Sequence, residues 1–194
     1  MLVGSCGALG NAQNSILERS PKQDIVCISN TNNKDISTTD IMLEKAPSCS
    51  VVIQGKKRNA KIVVELSTNK LYKYDENGKA IAVYPIASGK ASSPTHTGVR
   101  VVTHVETYPY KTAPKQTKRR KNPKAYGPKI ICLNILNPKT GKQSPIGEFI
   151  HGNNNPESIG KYASMGCMRM DNETIKQLAK EVKRGDIVLI QRSE

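Results

Sequence analysis

Apolar and polar positions begin to keep a period at Lys61. "KIVVEL" and "KLYKYD" read as strands, and "DENGK" (Asp75 to Lys79) supplies a turn centred on Asn77-Gly78. "AIAVYPIA" returns as the second arm of a hairpin with alternating faces. A turn-rich loop, "SSPTHTG" (Ser92 to Gly98), separates it from further strands at "VRVVTHVET", "KIICLNIL" and "GEFIHG". The period then changes. In "DNETIKQLAKEVKRG", Ile175, Leu178, Ala179 and Val182 recur at helical spacing and form one apolar face. Asp171 or Asn172 can cap its start, and Gly185 stops it. "DIVLIQ" is a last strand. Many strands around one main C-terminal helix predict a mainly β, sandwich- or barrel-like domain over residues 61–192.

Residues 1–60 keep no such pattern and read as a tail or small add-on. "SNTNNKDISTTD" is polar and without period, while "DIVCIS" and "CSVVIQG" could make short strands. "MLVGSC" places small residues before Cys6, as at lipoprotein cleavage sites. A basic region and an apolar core of about 7–15 residues are missing before it. Cys6 is a candidate lipid-anchor position on that reading. No stretch approaches the roughly 20 apolar residues of a membrane span.

Composition adds two constraints. Aromatic residues make up only 4% of the 194-residue chain, so the core must be built from Ile, Val and Leu. A formal net charge of +14 favours an anionic partner such as nucleic acid, a membrane or a cell wall. The densest basic run, "KQTKRRKNPK" (Lys115 to Lys124), reads first as a solvated, flexible loop; it lacks aromatic residues for base stacking. Five cysteines, at 6, 27, 49, 132 and 167, leave one unpaired however the others pair. None is spaced as CxxC, which argues against a zinc site.

The chemistry concentrates in "HGNNNPESIGKYASMGCMRM" (His151 to Met170), a Gly/Asn-rich stretch holding one imidazole, one thiol and one guanidinium. A thiolate is the nucleophile, and a neighbouring His or cation lowers a thiol's pKa from about 8.5. His151 ends a predicted strand, Cys167 precedes the helix, and Arg169 adds fixed positive charge. Gly166 leaves the backbone uncluttered, so N–H groups can face an oxyanion. Nucleophile, base, cation and bare amides are the parts of an acyl-transfer site. Singly, each has an ordinary structural reading: a buried apolar Cys, a loop His, a surface Arg.

"IHGNNNPESIGKYASMGCMRM" (Ile150 to Met170) closely resembles the active-site signature of the L,D-transpeptidases of the YkuD type. The resemblance extends upstream through "LSTNKLYKYDENGKAIAVYPIASGK", "SPTHTG" and "AYGPKIICLNI", and downstream to "KRGDIVLI", about residues 61 to 191. It implies a mainly β bacterial cell-wall enzyme acting outside the cytoplasm, in the periplasm or wall, on peptidoglycan stem peptides. It implies no metal, no organic cofactor and no nucleic acid. Cys167 would be the nucleophile and His151 the general base, oriented through Gly152. Amides of Met165, Gly166 and Cys167 would form the oxyanion hole, with Ser164 and Arg169 shaping the site and binding substrate carboxylate. The acyl group would pass to an amine on a second stem or a protein side chain, giving transpeptidation, or to water, giving L,D-carboxypeptidation. A catalytically silent wall-binding domain is the rival from another class, and a basic nucleic-acid binder carried by residues 115–124 is a further one. Two positions depart from the family pattern. Met165 stands where many members have His, and His96 replaces the usual Pro of the turn; neither His96 nor His104 is assigned a catalytic role. An exported domain would also allow Cys27 and Cys49 to pair, though counting cannot set connectivity.

Overall fold

The computed structural model describes residues 37–194. The strand expected in "DIVCIS", the anchor position Cys6 and Cys27 lie outside the described residues. In chain order the elements are α1 (Thr38–Glu44), β1 (Ser50–Ile53), β2 (Lys56–Asn59), β3 (Ile62–Glu65), β4 (Lys70–Tyr74), β5 (Ala80–Pro85) and β6 (Ser88–Gly89). They continue with β7 (Gly98–Thr107), α2 (Lys118–Lys121), β8 (Lys129–Leu136), β9 (Gln143–His151), β10 (Tyr162–Ser164), β11 (Met168–Arg169), α3 (Asn172–Glu181) and β12 (Ile187–Gln191).

The predicted hairpin is β4–β5. Gly78 sits at φ +81°, a conformation glycine adopts without strain, and the Asp75 carboxylate accepts the N–H groups of Asn77 and Lys79. Eight strands join in one curled sheet, in the order β11-β9-β8-β7-β12-β3-β4-β5. Most neighbours are antiparallel; β11–β9 and β12–β3 are parallel. The mainly β fold with one long C-terminal helix is therefore what the chain forms.

Alternation along the strands sends side chains to two apolar clusters. Ile62, Val64, Leu71, Val102, Ile131, Val188 and Ile190 face one side. There α3 closes the core with Ile175, Leu178 and Val182, the face its spacing predicts. Val63, Tyr72, Tyr74, Val101 and Ile187 face the other side, where Val51 and Ile53 of the β1–β2 hairpin cover them. The middle strands are thus buried on both faces, which explains the nearly continuous apolar run of β3. Asp171 is the residue that caps α3, accepting from the N–H groups of Glu173 and Thr174 at 2.9 and 3.0 Å. The helix ends at Glu181, before the expected stop; Gly185 (φ +93°) serves the following turn.

The β1–β2 hairpin meets the β8–β9 turn, where the Gln54 N–H donates to the Pro138 carbonyl at 2.7 Å, but it is not part of the apolar cluster around Ile130 and Cys132. Residues 108–128 form a strap there instead. Tyr110, fully buried, packs with Ala113 over Ile130 and Cys132 of β8, and Tyr126 and Phe149 flank them. The basic run expected to be a free loop is part of this strap and takes up α2 and a short 3-10 turn (Pro123–Tyr126). Arg119 explains why. Its guanidinium clasps the buried Glu106 carboxylate at 2.7 and 3.1 Å and lies 5.1 Å from the Phe149 ring centroid.

Candidate active site

His151 ends β9 and Arg169 ends β11, and the two are register partners on adjacent parallel strands. On the antiparallel side of β9, Ile130 opposes His151 and Cys132 opposes Phe149. Directly paired residues share a face of the sheet. The side chains of Phe149, His151 and Arg169 therefore belong to the face under the strap. Cys167 precedes β11 by one residue, level with Phe149, whose N–H is directed at the sulfur. Thiol and imidazole thus occupy neighbouring strands on one face, offset by two residues. No hydrogen bond joins them among the described contacts. The thiol's nearest acceptor is the Gly147 carbonyl at 4.0 Å.

Two glycines let backbones close over His151. A side chain at Gly127 would meet Asn172 Oδ1 at 2.4 Å and Gly152 Cα at 2.7 Å. A side chain at Gly152 would meet the same Asn172 oxygen at 2.3 Å. This contact brings Tyr126 onto the imidazole, with ring centroids 4.8 Å apart. His151 is buried; its Nδ1 bonds the Gly152 carbonyl, and the Tyr126 backbone also contacts the ring. Tyr126 was not among the residues the sequence singled out. A tyrosine beside the Gly-Pro of "AYGPK" carries no chemical signal until the strap folds back.

The turn before the thiol is held from both sides. Ser164 Oγ donates to the Cys167 carbonyl at 2.6 Å and accepts the Gly166 N–H at 3.1 Å. Thr95 Oγ1 donates to the Gly166 carbonyl at 2.8 Å and accepts the Gly89 N–H at 2.9 Å. Gly166 itself takes φ +106°. The Gly166 amide is thereby engaged, while those of Met165 and Cys167 donate to no acceptor among the described residues. Met165 is 67% exposed at the rim, and Arg169 is fixed by paired backbone bonds with Ala87.

Beneath the thiol lies a buried ion pair that no sequence pattern indicated. Arg100 Nε donates to Glu148 Oε2 at 2.9 Å, and the guanidinium also donates to the His96 carbonyl at 2.9 Å. His96 thus contributes its backbone, while its side chain is exposed. His104 is exposed and contacts Thr103 and Glu106. With Glu106 and Cys132 it brings possible ligand atoms within 4.8 Å, but both Glu106 oxygens are already held by Arg119. The carboxylate is committed to a guanidinium, not open to a cation.

Burial dominates the electrostatics. Desolvation pushes His151 down to about 4, helped by the Arg169 charge and opposed by its backbone bonds, so the imidazole is neutral near pH 7. Burial pushes the Cys167 thiol up, and Glu148 adds to this. The Phe149 N–H, Arg169 and Lys118 pull the other way without prevailing. The resting pair is therefore neutral thiol and neutral imidazole. Cys132, also free, is pushed up to about 12, mainly by burial.

The sequence matches the family profile of the L,D-transpeptidase catalytic domain (YkuD) across residues 59–190. The chain belongs to that family. It is 34% identical over 117 residues to a protein of Bacillus subtilis (strain 168) that carries the provisional name L,D-transpeptidase YkuD, covering 60% of this chain and 57% of the relative. The similarly named protein of Bacillus licheniformis is 34% identical over 131 residues, 67% of this chain and 64% of its own length. The chain thus matches less than two thirds of either relative. Among solved structures, Bd1075 of Bdellovibrio bacteriovorus has the same fold, with a TM-score of 0.52 at 23% identity over 75% of this chain and 53% of that one. L,D-transpeptidases act on peptidoglycan peptides. No helix among the described residues is long and apolar enough to cross a membrane.

Proposed function

We propose that this chain is a cysteine-dependent L,D-transpeptidase acting outside the cytoplasm on peptidoglycan stem tetrapeptides. The observation that carries this reading is a half-buried thiol beside a buried neutral imidazole, on adjacent strands of one sheet face, with two unused amides at the thiol. Family membership supplies the substrate class.

Cys167 sulfur attacks the carbonyl of the third stem residue while its proton passes to His151. A neutral pair suits this order, because separated charges form only as the sulfur–carbon bond forms. The offset between thiol and imidazole closes when substrate seats, as catalytic contacts in empty sites commonly do. The oxyanion is received by the amides of Met165 and Cys167; Ser164 holds the turn that presents them. The carbon–nitrogen bond then breaks, His151 returns its proton to the departing amine of the D-amino acid, and a thioester remains. An amine acceptor attacks the thioester and loses its proton to His151; the carbon–sulfur bond breaks, and His151 returns that proton to the departing sulfur. The Gly152 carbonyl fixes the imidazole through Nδ1, leaving Nε2 for proton transfer. Arg169 supplies fixed positive charge at the substrate end.

The test is intact-protein mass spectrometry after incubation with a disaccharide-tetrapeptide, beside Cys167→Ala. An adduct that lacks the terminal D-amino acid and is absent from the variant supports the reading. A folded protein that forms neither adduct nor product with several stem types refutes it in favour of a silent wall-binding domain. Released product distinguishes cross-linking from hydrolysis.

A further inference from the structure

The bond from His151 Nδ1 to the Gly152 carbonyl depends on how one peptide unit is turned, and no strand holds that unit. The unit before it is held on both sides. The Gly152 N–H donates to the Lys129 carbonyl at 3.3 Å, and the His151 carbonyl accepts the Met170 N–H at 2.8 Å. The next unit joins the Gly152 carbonyl to the Asn153 N–H. It lies past the end of β9 and has no backbone hydrogen-bond partner among the described residues. A peptide unit is planar and trans, so its carbonyl and its N–H point in opposite directions. Fixing the N–H therefore aims the carbonyl. Asn172 fixes it: Asn172 Oδ1 accepts the Asn153 N–H at 2.9 Å.

Asn172 is itself anchored. It is the first residue of α3, whose N-terminal amides are capped by Asp171 and not by Asn172. Ile175 and Leu178 hold that helix in the core. The Asn172 oxygen is enclosed by Gly127 and Gly152, and a side chain at either would strike it. Asn153 is fixed as well, with its Nδ2 donating to the Met170 carbonyl at 2.6 Å. A carboxamide relieved of capping, with its oxygen in a slot that two glycines leave open, serves the peptide unit and not the helix.

Resting on the acyl-transfer reading above, we infer that Asn172 is a positioning residue for His151. It turns the Gly152 carbonyl onto Nδ1, which keeps the imidazole proton there and leaves the Nε2 lone pair to take the Cys167 proton. The tautomer of a histidine is set by the bond that its other nitrogen makes. Without the Asn172 oxygen the peptide unit is free to turn, and the Nε2–H tautomer competes. A neutral ring protonated at Nε2 has no lone pair there to accept a proton.

The test is the tautomer of His151, read by NMR of the full chain labelled with nitrogen-15 histidine. The chain has three histidines, and His96 and His104 are exposed, so they serve as internal references. Near pH 7 the wild type should show His151 as the Nδ1–H tautomer. Asn172→Ala should gain a substantial Nε2–H fraction, with His96 and His104 unmoved. Acylation by a disaccharide-tetrapeptide, read by intact mass, should fall roughly 10–100-fold in Asn172→Ala, the scale of removing an outer partner of a functional histidine. Asn172→Asp keeps an acceptor oxygen and should retain the Nδ1–H tautomer. Asn172→Ser is one bond too short to reach the Asn153 N–H, and replaces Asn172→Ala if that variant does not fold. An Nε2–H tautomer in the wild type overturns the inference. So does an Nδ1–H tautomer retained in Asn172→Ala, whether or not acylation falls, because the residue then acts through packing alone. A wild-type chain that acylates on no stem peptide sinks the proposed function instead, and the tautomers still decide the role of Asn172.

Discussion

Two regions of the sheet bury carboxylates in different ways. At the central β12–β3 pair, Glu65 is held by neutral donors. Burial raises its pKa, but hydrogen bonds from Ser67 and Ser193 outweigh this and bring it to about 2. At the β8–β9 end, Glu148 and Glu106 are held by arginines brought from elsewhere in the chain. Backbone regularity differs as well. β12 and β3 pair without interruption, whereas β7–β8 and β8–β9 each shift register once. The lesson is a division of labour. The regular central pair stabilises the fold through apolar burial, and the irregular end spends buried charge on fixing a strap and a turn around Cys167. Interrupted pairing is where a strand can re-aim a side chain.

The largest expected effect at the irregular end is Cys167→Ala, which should abolish the acyl-enzyme while leaving the urea midpoint near that of the wild type. Persistence of the adduct would move the nucleophile to another thiol. Next comes Glu148→Gln. It leaves Arg100 buried without a counter-charge, so unfolding should become easier by about 3–5 kcal/mol, read from denaturant titration. The same change removes a negative charge that raises the Cys167 pKa, so iodoacetamide should label Cys167 faster in the folded variant. A loss of stability together with a gain in thiol reactivity is the signature to look for; loss of both would mean that the turn itself collapses.

His151 sharpens the comparison through pH. Its folded pKa, about 4, lies below the ordinary 6.5, so the unfolded chain takes up the proton first as pH falls. Stability from this group is complete above about pH 6.5 and drains away between there and about pH 4, by roughly 3 kcal/mol in all. Glu65 contributes in the same direction only below its ordinary 4.5. Urea midpoints measured from pH 7 to 5 should therefore fall in the wild-type chain and flatten in His151→Gln. Parallel curves would show that the imidazole is not buried neutral. The smallest effect belongs to the regular central pair. Ile62→Val should cost about 0.5–1.5 kcal/mol and leave the alkylation rate of Cys167 unchanged. A change in that rate would mean that the two regions are mechanically coupled.

Much of this was readable along the chain because local periodicity carries it. The β4–β5 hairpin follows from alternating apolar residues around Asn77-Gly78, and the core face of α3 follows from Ile175, Leu178, Ala179 and Val182. The motif from His151 to Met170 pointed to thiol acyl transfer because the needed residue types are close in sequence. The short strands β6, β10 and β11 carried no such signal. They are two or three residues long and exist only through their partners, Ser88 with Tyr162 and Met168 with Ile150.

The sequence by itself determined the mainly β class, the long helix, the apolar stripes and the candidacy of Cys167, His151 and Arg169. Each depends on local periodicity or, for the site, on residue types gathered in the one stretch from His151 to Met170. The tertiary structure alone decided that the basic run becomes a strap, that Tyr126 lies on His151, that Arg100 neutralises Glu148 and Arg119 neutralises Glu106. Those pairings join residues 13 to 48 positions apart or bring strap and strand into ring contact. Only chain closure sets such distances, because a charge or a ring in a sequence names no partner until the backbone brings one within reach.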